Sequence, residues 1–243
     1  MKPAPKHSSS LLPVILWILP VLLGFAILLD YHTRSGTPTS PPVGWPADSR
    51  LQPQSGRQTL LVFLHPQCPC SNATVSELSR LLPRLRETKT IALLVVPPGA
   101  NSQFADTPLA ERCRNIKGLS VELDRNGVEA QKFKAATSGE TLLYDQKGLL
   151  RFCGGITPGR GHEGDSIGKD KIEAITNRLA DKEMPADAGG WSGKVKPYSC
   201  KVFGCALLND SRQISQNAGV DRSTRAPGES VPKNANGEQR LAQ

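Results

Sequence analysis

The chain has 243 residues, six cysteines and a formal net charge of +8, with 30 Lys and Arg against 22 Asp and Glu. That balance permits nucleic-acid binding, but the cations are scattered and no basic run is interleaved with aromatics, so no nucleic-acid partner is expected. Length leaves room for more than one domain of ~100–200 residues, yet both ends have compositions unlike a core.

In chain order, residues 1–10 carry Lys2 and Lys6 and read as a cytoplasmic N-terminus. From Leu11 to Leu29 (LLPVILWILPVLLGFAILL) no residue is charged. At ~1.5 Å per residue, a helix of this length spans about the ~30 Å hydrocarbon core of a bilayer. Pro13 and Pro20 are tolerable in such a helix. The lysines before it, with Asp30, His32 and Arg34 after it, put the N-terminus inside and the rest outside a single-pass protein. A cleaved signal is the competing reading. The apolar stretch exceeds the usual ~7–15-residue signal core and no small-x-small site ends it, so an uncleaved signal-anchor in the cytoplasmic membrane is expected. Residues 30–57 are rich in Pro, Gly, Ser and Thr and read as a flexible linker. Residues 58–208 read as the folded domain, and 209–243, poor in apolar residues, as a disordered tail.

Within the domain, Thr59–His65 reads as a buried strand. Ser71–Arg86 repeats Val75, Leu78, Leu82 and Leu85 at helical spacing. Thr90–Val96 is a second buried strand, ended by Pro97-Pro98-Gly99. Pro108–Arg114 reads as a short helix, Leu119–Asp124 as a strand and Val128–Ala136 as a helix. Thr141–Asp145 and Leu149–Cys153 form a hairpin across Gln146-Lys147-Gly148. Asp170–Asp181 is a closing helix with Ile172, Ile175 and Leu179 on one face. The order βα, βα, hairpin, helix is that of a thioredoxin-like α/β fold, a central mixed sheet flanked by helices, here behind a membrane helix.

Cys68-Pro69-Cys70 lies where the first strand hands over to the first helix. A helix N-terminus offers unpaired N–H groups and the positive end of the dipole, which favour thiolate over thiol. Outside the cytoplasm the six cysteines can persist as disulfides, and an even count is compatible with full pairing in many connectivities. With Cys68 as N-cap and Pro69 as the first helical residue, Cys70 points to nearly the opposite side. A direct Cys68–Cys70 bridge would then be strained and easily reduced.

The segment TLLVFLHPQCPCSNATVSEL resembles the catalytic strand–helix unit of membrane-anchored thioredoxin-like proteins. More specifically, HPQCPCS, SGETLLYDQKG, GGITPGRGHEGD and FGCALL, in that order, resemble the RedB-like redox proteins of bacteria, over about residues 10–208. The resemblance implies a thioredoxin fold outside the cytoplasmic membrane and thiol–disulfide activity, with no known substrate. Two departures from ordinary thioredoxins stand out. Ser71 occupies the place of their second cysteine, and Gly139 that of the cis-proline tied to substrate docking and metal exclusion.

With Ser71 unable to form a disulfide, Cys205, carried by SCKVFGCALL, is a candidate resolving thiol. The alternative is a local Cys200–Cys205 bridge. Cys153 neighbours Phe152, which faces the other way, and reads as a buried inert thiol. Cys113 is open to pairing with Cys200 or Cys153, or to staying free. His162 in the Gly-rich loop GITPGRGHEGDSIG is placed to protonate a leaving thiolate or ligate a metal, or is an exposed loop histidine. Arg160, Glu163 and Asp165 are expected to fix that loop. His65 stabilises the Cys68 thiolate if protonated, or simply packs. GGITPGRG lacks the spacing of a phosphate-binding loop. Two functions remain. One is a periplasmic thiol–disulfide oxidoreductase with a Cys-Pro-Cys site, acting on protein thiols and disulfides without a cofactor. The alternative is a copper-binding or metallochaperone module using Cys68, Cys70 and Cys205 or His162. The scarcity of methionine, only Met1 and Met184, favours redox chemistry. A peroxidase using Cys68 alone lacks Thr and Arg beside it.

Overall fold

A computed structural model describes residues 12–54, 56–101, 103–180 and 196–208. The expected cytoplasmic N-terminus (1–10) and tail (209–243) lie outside the described residues, as does Asp181 at the end of the last expected helix.

The first helix, α1 (Leu12–Thr33), has exposed apolar side chains from Val14 to Tyr31. It is long and apolar enough to cross a membrane. It runs on past Leu29: the Thr33 hydroxyl donates to the Leu29 carbonyl at 2.9 Å, and Arg34 pairs with Asp30 one turn back.

The domain then runs β1 (Gln58–Leu64), α2 (Cys70–Leu81), β2 (Thr88–Val96), α3 (Pro108–Arg114), β3 (Leu119–Arg125), α4 (Val128–Lys132), β4 (Glu140–Tyr144), β5 (Leu150–Gly154), α5 (Ile167–Ala180) and β6 (Tyr198–Ser199). These strands form one sheet in the order β3-β2-β1-β4-β5-β6. β1, β2 and β3 are parallel, β4 is antiparallel to β1, and β5 to β4. Parallel neighbours need crossovers, and α2 and α3 supply them. Both faces of β1 are covered, which is why its sequence is a continuous apolar run rather than an alternation. Leu60, Val62 and Leu64 meet Val75, Leu78 and Leu81 of α2 on one face, while Leu61 and Phe63 meet Phe133 and Tyr144 on the other. The fold is thioredoxin-like, as expected, and it sets the C-terminal end of β1 against the start of α2.

Three element ends differ from expectation for local reasons. α2 stops at Leu81 and tightens into a 3-10 turn, Leu82–Arg84, because Pro83 has no N–H to continue the ladder. α4 ends at Lys132, not Ala136, because Lys134 turns to a positive φ and Ala135 N–H reaches back to the Ala130 carbonyl at 2.8 Å. α5 begins at Ile167, where the Ser166 hydroxyl accepts from Lys169 N–H.

The stretch expected to be a flexible linker is instead fixed along the domain. Gly36 N–H donates to the Val202 carbonyl, Trp45 N–H to Gly148, and the Val43 carbonyl accepts from Leu150 N–H, at 2.7–2.8 Å. The Trp45 ring stands edge-on to Phe133 and Tyr144, and Leu51 is buried. Pro-rich chain has few donors of its own, but its carbonyls still accept, and one Trp and one Leu suffice to seat it on an apolar face.

Candidate active site

A turn at the end of β1, closed by Cys68 N–H to the His65 carbonyl at 3.1 Å, delivers Cys68 to α2. Pro69 is helical in φ and ψ, but as N-cap, so the helix starts at Cys70, one residue later than expected. The first turn is tight: Ser71 N–H donates to the Cys68 carbonyl and Asn72 N–H to that of Pro69. This winding brings Cys70 round beside Cys68, correcting the expectation that the two diverge. The Sγ atoms of Cys68, Cys70 and Cys205 all lie within 4.8 Å of one another. All six cysteines are free thiols.

Cys205 arrives on the segment after β6, which lies across the 136–139 loop. Ser138 N–H donates to the Cys205 carbonyl at 2.8 Å and Leu207 N–H to Ala136 at 2.9 Å, flanking an antiparallel bridge between Thr137 and Ala206. Leu207 is fully buried. Gly204 rests on the Ser138 carbonyl so closely that a Cβ would occupy the oxygen's space. These contacts put Cys205 Sγ 2.9 Å from Cys68 Sγ. The alternative Cys200–Cys205 bridge is not formed, since Cys200 Sγ faces the Gly155 carbonyl instead.

The three thiols differ electrostatically. Burial opposes charge on Cys68, but the thiol and N–H of Cys205 and the hydroxyl and N–H of Ser71 outweigh it, so its pKa is lowered. Ser71 has one hydroxyl proton and other acceptors near it, the His65 carbonyl at 3.2 Å and Ser138 Oγ at 2.7 Å. Cys205 is therefore the steadier support. Cys205 itself is pushed up to about 12, by burial first and then by its proton's attachment to Cys68. Burial and the charge of Cys68 also raise Cys70, against a smaller lowering pull from Arg160.

The remaining expected residues fall as follows. His65 does not supply a positive charge: burial lowers its pKa, and Nδ1 accepts from Gln67 N–H at 3.2 Å, the arrangement of a neutral ring. Its edge packs on Phe104. Gly139 has φ +93°, which favours glycine, and donates to the Phe63 carbonyl at 2.7 Å; a Cβ there would crowd Thr74 Oγ1. His162 is not among the grouped thiols. Its Nε2 lies 3.3 Å from Nδ1 of His32, at the end of α1. Arg160 N–H donates to the His32 carbonyl, and its guanidinium covers Tyr31. Glu163 fixes the loop through Arg80, whereas Asp165 is exposed. Cys153 and Cys113 are buried with raised pKa values, Cys113 to about 11, mainly through burial.

Two features carry no sequence signal beyond residue type. Ser138 bonds Ser71, the His65 N–H and, through its own N–H, the Cys205 carbonyl. Glu77, fully buried on α2, gathers Lys169, Arg80 and the Gly164 N–H, pinning the 158–165 loop beside Cys70. The available hints were Ser71, the partner of Ser138, in a first helical turn and a Glu on an apolar helix face.

No family model matches the chain, and no curated protein matches it. Solved structures do. An uncharacterized conserved protein from Geobacillus kaustophilus is 14% identical with a TM-score of 0.50, over 74% of this chain and 92% of that one. A hypothetical protein from Sinorhizobium meliloti 1021 is 16% identical with a TM-score of 0.50, over 72% of this chain and 97% of that one. A secreted disulfide oxidoreductase of Mycobacterium tuberculosis is 16% identical with a TM-score of 0.35, over 52% of this chain and 83% of that one. At such identities the first two likenesses are of fold alone.

Proposed function

We propose that the chain is a membrane-anchored, extracytoplasmic thiol–disulfide oxidoreductase whose working pair is Cys68 and Cys205. The observation that carries this reading is the 2.9 Å approach of Cys205 Sγ to Cys68 Sγ at the start of α2, with Cys68 the lowered and Cys205 the raised thiol. The Cys68 thiolate attacks one sulfur of a partner disulfide. That S–S bond breaks, the other partner sulfur leaves as thiolate, and a mixed disulfide forms. Cys205 passes its proton to the departing sulfur and attacks Cys68. The second partner thiol is expelled and a Cys68–Cys205 disulfide remains. The partner gains two electrons and the chain loses two; run backwards, the same steps oxidise a dithiol. Electrons are carried by the thiol pair alone, so no cofactor enters the reaction.

Support for the location comes from α1, with the charge bias of its flanks. In an oxidising compartment the pair would need a reductant, or would itself serve as oxidant.

The test equilibrates the full chain in detergent micelles across glutathione ratios and maps alkylated cysteines by mass spectrometry. Cys68 and Cys205 oxidising together as one two-electron couple is expected. Independent titration of the two, or a Cys205→Ser variant that keeps the same reversible disulfide on Cys68, would sink the reading. Labelling of Cys68 in intact spheroplasts by a membrane-impermeant maleimide tests the orientation; protection until lysis would overturn it.

A further inference from the structure

The redox couple uses two thiols and leaves the third, Cys70, without a task. We propose that Cys68, Cys70 and Cys205 also form a three-coordinate site for Cu(I), open only in the reduced chain. The three sulfurs lie within 4.8 Å of one another on two supports, the turn that leads into α2 with its first residue and the segment tied to the 136–138 loop. Metal–sulfur bonds of ~2.3 Å around one ion place three ligand sulfurs about 4 Å apart. Cys68 and Cys205 therefore need to separate by only about an ångström from their present contact.

Ligand type and number select the metal. Thiolates are soft donors and suit Cu(I), zinc and iron–sulfur clusters. Structural zinc takes four protein ligands, and cysteine-bound clusters take four cysteines. Among the described residues the group stops at three. His162, in the 158–165 loop, contacts His32 instead. Three thiolates complete the trigonal sulfur shell of Cu(I), whereas zinc held by the same three would need water in its fourth position. Each thiol releases its proton to solvent as its bond to the metal forms. A Cys68–Cys205 disulfide removes two of the three donors, so oxidation closes the site.

The full chain, reduced and anaerobic in detergent micelles, is titrated with Cu(I) against a chromophoric chelator and separately with Zn(II), and the first shell is read by X-ray absorption. One Cu(I) per chain with three sulfurs and no nitrogen is expected, not displaced by Zn(II). Binding should vanish on oxidation and return on reduction. Cys70→Ser should weaken it by at least ~100-fold, the upper end of what outer-shell partners alone carry, with an unchanged circular dichroism spectrum. Undiminished binding by Cys70→Ser, a histidine nitrogen in the shell, preference for Zn(II) or no binding by the reduced wild type would each overturn the proposal.

Discussion

Cys205 stands 137 residues after Cys68 in the chain, yet its thiol lies 2.9 Å from the Cys68 sulfur, and as donor to the Cys68 thiolate it does most to lower that group's pKa. One residue thus both sets the reactivity of the other and stands ready to trap it. Removing the donor separates these roles.

Cys205→Ala should raise the pKa of Cys68. A hydrogen bond to a charged group is worth ~1.5–3 kcal/mol, which converts to roughly one to two pH units. The pH midpoint of Cys68 alkylation by iodoacetamide, followed by mass spectrometry, measures it. An unmoved midpoint would transfer the credit to the helix start and Ser71.

His65→Gln should leave that same midpoint in place. The ring is neutral, held so by burial and by accepting from Gln67 N–H, and glutamine keeps an acceptor. A rise in the midpoint would restore the thiolate-stabilising role that residue spacing suggested.

Gly204→Ala sets a Cβ against the Ser138 carbonyl. Overpacking typically costs ~1–3 kcal/mol, and here the segment carrying Cys205 has least to lose by lifting away. Cys68, only 5% exposed in the closed arrangement, should be alkylated faster, and disulfide formation with Cys205 should slow. Unchanged alkylation kinetics would mean that the loop yields instead.

Asp145 and Arg151 form an ion pair, 4% and 7% exposed, and Asp145 also accepts the N–H groups of Lys147 and Leu149 that close the β4–β5 turn. Breaking a buried pair from one side leaves an uncompensated charge, so Asp145→Ala should destabilise by ~3–5 kcal/mol in denaturant unfolding. A loss under about 1 kcal/mol, the range of an exposed pair, would contradict that burial.

Buried thiols set an alkaline limit. The unfolded Cys113 thiol ionises near ~8.5, the folded one at about 11, so only the folded chain holds that proton in between. Its contribution is complete below pH ~8.5 and is lost as the pH rises through the folded value. Cys68 has the opposite sign: its lowered pKa adds stability as the pH rises toward ~8.5 and loses it as the pH falls. Unfolding of Cys113→Ala between pH 8 and 11 should show a shallower decline than wild type, and an equal slope would acquit Cys113.

Sequence by itself determined the membrane-length helix, the buried strands and the delivery of Cys68 to a helix start. Each of these is a local pattern: an uncharged run, an apolar run between breakers, a proline beside a cysteine. Tertiary structure decided the rest. Periodicity carries no record of which distant segment will close over the site, so Cys205 was one candidate partner until the pairing of 205–207 with 136–138 set it against Cys68. Composition described residues 30–57 as a tether, whereas Trp45 and Leu51 found an apolar face to cover. Chemistry alone left His162 open as an acid, a ligand or an exposed loop histidine, and the fold set its ring against His32 at the end of α1. A residue's type fixes what it can do, and the contacts it meets across the fold fix which of those things it does.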